Sequence, residues 1–489
     1  MTRWKTAATP RPWVWTCGMA VISGVLALAD LAQAADGALL TLPEVMRMAL
    51  LAGPEGNLAR ARLTEQRAQS AVHTAQGAFD WNAEANGGYR RLQTTRNTGG
   101  FVTTELEPVD VLTASVGAEK LFDNGVRVRP GLIVSRGAEQ SQLASALLRS
   151  QPLLQVDVPV DAGFGEPVEA LRLSSARSDL AASHLDSRHG RQIYLNRVVK
   201  AAWELLAVQQ KYRATLAQAA VAEEIAGRVL RLMAAREISR MAAEDVLARA
   251  ELRRNAVDQA ALDLGSARLD LALLLRTDES AVAGIDASFP KPAAALGEAW
   301  LLGQLADATA RRLDLQGETL RIESARQRAR AVRREADSRV VVQAGVDRLL
   351  LSWTKPLGEN RDLGAGLLGV ADVGLATLQV DELRRRIEVE VRMAGKRLLG
   401  AAQTIERTRA VVETFRVRLG LARQLVDQGQ QPPSALLDAA DQLGNAQRQL
   451  SDLERLYAEA LADLHLATAS ILDEMNEPAL LASAFTRLP

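Results

Sequence analysis

The sequence is short of the residues that usually mark a site. Cys17 is the only cysteine in 489 residues, so a disulfide framework and a thiolate metal centre are both excluded. The four histidines, His73, His184, His189 and His465, form no metal spacing with a carboxylate motif. His184 and His189 lie five apart, off the i, i+4 face of a helix. There is no phosphate-binding loop or other nucleotide signature, and the chain reads as a non-enzyme without cofactor or metal. Net charge is missing as well: Lys+Arg and Asp+Glu both number 59. Such a balance leaves no electrostatic footprint for nucleic acid.

Long apolar runs are confined to the N-terminus. Arg3, Lys5 and Arg11 precede an apolar run from Trp13 to Ala29, and Ala32-Gln33-Ala34 offers small residues for cleavage. Residues 1–34 therefore read as a secretory signal, with the mature chain starting at Ala35. An uncleaved anchor is the main rival for this segment; bulky Trp15 before Cys17 makes a poor lipoprotein box. Cleavage removes Cys17, three basic residues and one acid, leaving 56 against 58 and a net charge near −2. Beyond residue 34 no apolar stretch approaches the roughly 20 residues of a spanning helix, so any membrane crossing would fall to strands.

What is present is helix, in long amphipathic runs. One apolar stripe reads Val198, Ala201, Leu205, Val208, Tyr212, then, past Thr215, Ala219, Ala222, Ala226, Val229, Met233. Another reads Leu436, Ala439, Leu443, Ala446, Leu450, Leu453, Tyr457, Ala460, Leu464, Ala467, Ile471. A 3-4-3-4 spacing held this long is a coiled-coil seam. With aromatics at only 4%, these helices suit lying against one another rather than enclosing a bulky core. From Val168 to Ala235 there is no proline, which implies on the order of 100 Å of helix. The second stripe begins after Pro432-Pro433, where a helix must break; the chain runs a long helix out to this point and another back.

Two regions alternate with period two instead. Leu112, Ala114, Val116 and Ala118 alternate with Thr113, Ser115, Gly117 and Glu119; after Asp123-Asn124-Gly125, Val126, Val128, Leu132 and Val134 alternate with Arg127, Arg129, Gly131 and Ser135. Asn-Gly between alternating runs signals a hairpin. Leu154, Val156, Val158 and Val160 alternate with Gln155, Asp157, Pro159 and Asp161, and a weaker run starts near Trp81 and Tyr89. The second region sets Val340, Val342, Ala344 and Val346 against Gln343, Gly345 and Asp347, followed by a Gly-rich run from Gly364 to Ala376. Such alternation fits membrane barrel strands and equally a soluble sheet with one wet face.

The order suggests one unit used twice. The first copy, 35–276, has a helix, strands over 81–162, a long helix over 166–235, a tip and a helix over 241–276. A linker, 277–299, leads to the second copy, 300–474: a helix, strands over 339–378, a long helix over 379–428, a tip and a helix over 434–474. A tail, 475–489, follows. Residues 246–274 resemble 436–464 at a shift of 190, as in Val246/Leu436, Ala250/Ala440 and Asn255/Asn445.

At this point the chain resembles the TolC-like outer membrane efflux proteins. "LTLPEVMRMAL" is similar to that family's opening, "VDAGFGEPVEALRLSSARSDLAAS" to its strand-to-helix entry, and "EISRMAAEDVLARA" and "GQQPPSALLDAADQL" to its hairpin tips. The resemblance implies a mainly α fold with membrane β. Three chains would close a 12-stranded outer-membrane β-barrel, or one of up to 18 strands if an extra hairpin joins, continued by a periplasmic α-helical barrel. It implies a passive exit duct of a tripartite efflux or type I secretion system, in the outer membrane and reaching into the periplasm. Its partners would be two further copies, outer-membrane lipid, a periplasmic adaptor and an inner-membrane pump of RND or ABC type. The rival reading is a periplasmic coiled-coil adaptor or scaffold without a pore. By resemblance Asp438, reinforced by Asp441, and Asp245 in the other half would constrict the pore. Ile238, Ser239, Arg240, Gly429, Pro432, Pro433 and Ser434 would form the adaptor-docking tips. Glu237 stands where the first tip is expected to carry the family's glycine. Arg127 and Arg129 are candidates for the lumen.

Overall fold

A computed structural model gives the fold. It describes residues 39–51, 56–96, 105–137, 148–160, 166–292, 298–336, 339–345, 349–355, 359–471 and 477–487. The signal segment, Asp161, part of the linker, and Val346 and Asp347 of the second alternating run lie outside the described residues. The chain is mostly helical and divides into two compact units: residues 1–58, 190–312 and 386–489 form one, residues 59–189 and 313–385 the other.

The first unit is built on helical hairpins. Helix α1 (Leu42–Leu51) follows the two-residue strand β1 (Leu40–Thr41). Its start is fixed by the Glu44 carboxylate, which accepts from both the Thr41 backbone N–H and Oγ1, at 2.7 and 2.8 Å, the acidic half of a capping box. Most of α3 (Val168–Ala234), α4 (Arg240–Leu275), α5 (Glu298–Arg311), the C-terminal part of α7 (Glu359–Asp427), α8 (Pro433–Thr468) and α9 (Pro478–Ala484) complete it. Strand β1 pairs in parallel with β6 (Ile285–Asp286). Beside this ribbon Trp203, Leu205, Leu271, Leu275 and Phe485 are fully buried in one cluster with Met46 and Phe289. A second cluster joins Ala222, Ile225 and Val229 of α3 to Ala243 and Val246 of α4, Val426 of α7 and Leu436, Leu437 and Ala439 of α8.

Between these clusters α3 and α8 run antiparallel, joined by small residues and a line of polar pairs. Asn196 and Lys200 both donate to Asp463, Arg455 meets Glu204 at 3.0 Å, Ser451 donates to Gln210, Lys211 pairs with Asp452, and Arg448 donates to Gln218. Gln218 in turn donates to the carbonyls of Ala440 and Asp441. It fits there because position 444 is glycine: a Cβ at Gly444 would lie 2.1 Å from the Gln218 amide nitrogen. Beside these polar pairs the residues of the two expected seams are buried or half-buried, except that Met233 is exposed.

His465 of α8 is buried, with Nδ1 2.6 Å from Ser470 Oγ, Nε2 2.7 Å from the Arg487 carbonyl, and Phe485 edge-on to its ring. Burial holds its pKa below the ordinary 6.5 against the backbone hydrogen bonds that would raise it. The folded chain thus favours the neutral ring. This stability is present above about pH 6.5 and is lost as pH falls below that value, where the unfolded chain takes up the proton. The melting temperature is expected to drop between pH 7.5 and 5.5, and to drop less in His465→Gln.

In the second unit, helix α2 (Gly56–Gln76), the first part of α3, α6 (Leu313–Ala336) and the first part of α7 accompany one sheet. Ion pairs tie α3 to α6: Asp179 with Arg328, Asp186 with Arg321, and Arg172 with Glu335. The sheet has six strands in the order β2 (Asn82–Arg96), β3 (Glu105–Leu121), β4 (Arg127–Gly137), β5 (Leu148–Pro159), β7 (Arg339–Gly345), β8 (Leu349–Thr354), every pair antiparallel. Gly125, at φ 85°, closes the β3–β4 turn, where Phe122 N–H donates to Val126 and Gly125 N–H to Phe122.

Three expectations are corrected. The strand region 339–378 ends at Thr354, and Gly364–Ala376 is helix, part of α7. Four glycines and an apolar run imitate a strand there. That run, Leu363 to Val380, holds a single charged residue, Asp372, and α7 is long and apolar enough to cross a membrane, as no other described helix is; the expectation of no such stretch fails. The repeat shift of 190 also fails. Arg236 and Gly429 (both at positive φ), the cap residues Ser239 and Pro432, and Arg276 and Ala469 (also at positive φ) each stand 193 apart. A heptad-like seam repeats every three or four residues, so an alignment by residue type can slip by one turn.

Candidate functional site

Both hairpin tips end their outgoing helix in the same way. Arg236 N–H donates to Met233 and Glu237 N–H to Leu232; Gly429 N–H donates to Val426 and Gln430 N–H to Leu425. These are paired Schellman closures, with the left-handed residue Arg236 at φ 59° in one and Gly429 at φ 73° in the other. The position calling for glycine in the first tip is therefore Arg236, not Glu237. A Cβ in this region costs about 1–2 kcal/mol, so Gly429→Ala is expected to destabilise by about 1 kcal/mol and Arg236→Gly to stabilise by a similar amount, read as opposite shifts in thermal midpoint.

The returning helices start differently. Ser239 caps α4 by accepting from Ala242 N–H at 3.3 Å, while α8 starts on Pro432 and Pro433, whose fixed φ suits a first turn. Ser239, Arg240, Gly429 and Pro432 are exposed at the tips, and Ile238, Pro433 and Ser434 half-buried. Arg240 pairs with Glu244.

The structural shift of 193 makes Asp245 and Asp438 equivalent positions, and one guanidinium lies between them. Arg249 Nε is 3.2 Å from Asp245 Oδ2, and its Nη1 is 2.9 Å from Asp438 Oδ1. One turn on, Arg253 pairs with Asp441 at 2.6 Å. Arg448 stands near both; burial and the Arg253 charge lower its pKa, partly offset by Asp441. The three predicted carboxylates thus come together with two arginines that the sequence reading missed. Asp245 and Arg249 are an i, i+4 pair, a legible signal; the contact from α4 to α8 was not. Asp245, Asp438 and Arg249 are well exposed, so each bridge contributes only about 0–1 kcal/mol. What the cluster does is set three guanidiniums, Arg249, Arg253 and Arg448, against three carboxylates, where unpaired acids would leave three negative charges.

The second site is the sheet. Its register puts Ala85, Tyr89, Leu112, Ala114, Val116, Val128, Leu132, Val134, Leu154, Val156, Val342, Ala344, Leu351 and Trp353 on one face. Asn86, Thr113, Ser115, Glu119, Arg127, Arg129, Ser135, Gln151, Gln155, Asp157, Gln343 and Ser352 are on the other. Polar-face Arg127 and Arg129 both reach Glu119, at 3.2 and 2.7 Å, and Arg129 reaches Asp157 at 3.2 Å. On the apolar face Tyr89, Leu112, Val116, Leu351 and Trp353 are all more than half exposed.

No family model matches the sequence, and no curated protein does. Solved structures do match. The Campylobacter jejuni CmeC outer membrane channel is 13% identical with a TM-score of 0.64, over 89% of each chain. The Vibrio cholerae outer membrane protein VceC is 16% identical with a TM-score of 0.61, over 87% of this chain and 96% of its own. The open state of the Neisseria gonorrhoeae MtrE outer membrane channel is 15% identical with a TM-score of 0.53, over 87% and 88%. The chain has the outer-membrane channel fold. The matches extend over 87–89% of this chain, and the resemblance read from sequence holds at the level of fold.

Proposed function

We propose that the chain is an outer-membrane exit duct, a passive channel of a tripartite efflux or type I secretion system rather than an enzyme. Three copies close the sheet into a barrel, and the helices extend into the periplasm. The tips at Ile238–Arg240 and Gly429–Ser434 dock on a periplasmic adaptor, and an inner-membrane pump of RND or ABC type supplies the energy. The observation that carries this reading is a sheet whose one face is mainly apolar and exposed, at Tyr89, Leu112, Val116, Leu132 and Leu154 of β2 to β5, while its other face is mainly polar. A soluble sheet would cover that apolar face; a barrel turns it to lipid and leaves no edge unpaired. The exposed Leu367, Leu368, Val370, Leu375 and Leu378 of α7 form a surface for a neighbouring copy.

The test is planar-bilayer recording on the purified protein, where steady channels are expected and their absence would overturn the proposal. In the same recording Arg249→Ala, which leaves Asp245 and Asp438 without their shared partner, is expected to raise cation over anion permeability several-fold, and Arg249→Lys to change it little.

A further inference from the structure

The strands of the sheet are unequal in reach, and their register marks where a membrane would sit. One row of paired residues crosses Lys120, Val128, Val156, Ala344 and Leu349. Lys120 Nζ lies 5.5 Å from the ring centres of Trp81 and Phe122, the aromatic and basic composition of a headgroup-level girdle. Eight residues further along, a second row crosses Tyr89, Leu112, Arg136 and Leu148, again with an exposed aromatic on the apolar face. At about 3.3 Å per residue the rows are about 26 Å apart along the strands. Tilted by about 40°, this is roughly 20 Å of height, close to the ≈ 25 Å apolar band of a barrel.

Only β2, β3, β4 and β5 run from one row to the other. Strands β7 and β8 have 7 and 6 residues and finish at the lower row: Gly345 stands opposite Gln155, and Leu349 opposite Ala344. Above Gln155 the outward edge of β5, from Leu148 to Leu154, has no strand beside it among the described residues. That edge lies wholly between the two rows, where a row of unpaired backbone N–H and C=O groups cannot face lipid. At the other end of the sheet β2 has an equally unoccupied edge along 15 residues.

We propose that the membrane wall is made by the first half of the chain alone, β2 to β5, and that the upper edge of β5 pairs with β2 of a second copy. The ring between the girdles then has 12 strands in a trimer, while the β7–β8 hairpins stand below it at the periplasmic rim. This inference rests on the channel reading above.

The test places a photoreactive benzoylphenylalanine at Leu153, on β5 above Gln155, in the full chain in outer membranes. The expected product is a two-chain adduct mapping to residues 82–96. An adduct mapping to 349–354 of a second chain, or a trimer giving no two-chain adduct, overturns the inference and leaves the channel reading standing. A monomer without conductance overturns the channel reading itself. As a second readout, a fluorophore on Leu349→Cys is expected to be quenched best by headgroup-level nitroxide lipid, and one on Val116→Cys by mid-chain nitroxide. Deep quenching at Leu349 would put β8 inside the bilayer and overturn the inference.

Discussion

Arginine in place of Val116 is expected to cost about 2–4 kcal/mol of folding free energy in a bilayer, and in place of neighbouring Ser115 close to nothing. Val116 is 64% exposed, on the apolar face between Ala85 and Leu132 in the register and midway between the two girdle rows. An arginine on the lipid face at that depth loses its hydration. Ser115, one residue away, has its side chain on the polar face with Thr113 and Ser135. In water the result would reverse in character, since replacing an exposed valine by arginine on a wet sheet costs a few tenths of a kcal/mol at most. Refolding into lipid vesicles across a denaturant series gives both values. Equal and small effects at the two positions would remove the membrane from the account.

A second large effect is expected at Trp203. The side chain is fully buried in the cluster that also holds Met46, Leu205, Leu271 and Phe485, and its ring centre is 5.7 Å from that of Phe289. Trp203→Ala should destabilise by about 3–5 kcal/mol through lost contact and the cavity left behind. Its indole N–H finds no hydrogen-bond partner, so Trp203→Phe gives up volume without orphaning an acceptor and should cost well under half as much. Thermal midpoints at one scan rate would rank them; equal losses for the two variants would mean that packing does not set the stability of this cluster.

Much of this was legible because the two periodicities differ so plainly. Leu112 to Glu119 and Leu154 to Pro159 could only alternate, and they fall within β3 and β5. The second seam, Leu436 to Ile471, has no exposed member. The misreadings have definable causes. Gly364–Ala376 has strand-like glycines, and what makes it helical is its continuity with the 69 residues of α7. The repeat slipped by one turn because alanine and leucine recur at each turn of either helix; only backbone landmarks such as Arg236 and Gly429 fix the offset. Arg249 is signalled locally only by its i, i+4 spacing from Asp245, and neither it nor Arg253 carries a local sign of its partner on α8. Their roles depend on how α4 packs against α8, which no local pattern encodes.

The polar line between α3 and α8 has a consequence for how this chain can change in length. Five pairs, from Asp463 with Lys200 to Arg448 with Gln218, are spaced like the teeth of a rack. One residue inserted into either helix would advance its teeth by about 1.5 Å and turn them by about 100°, so that all beyond the insertion miss together. The two helices can therefore lengthen or shorten only in step, by whole turns in both arms at once.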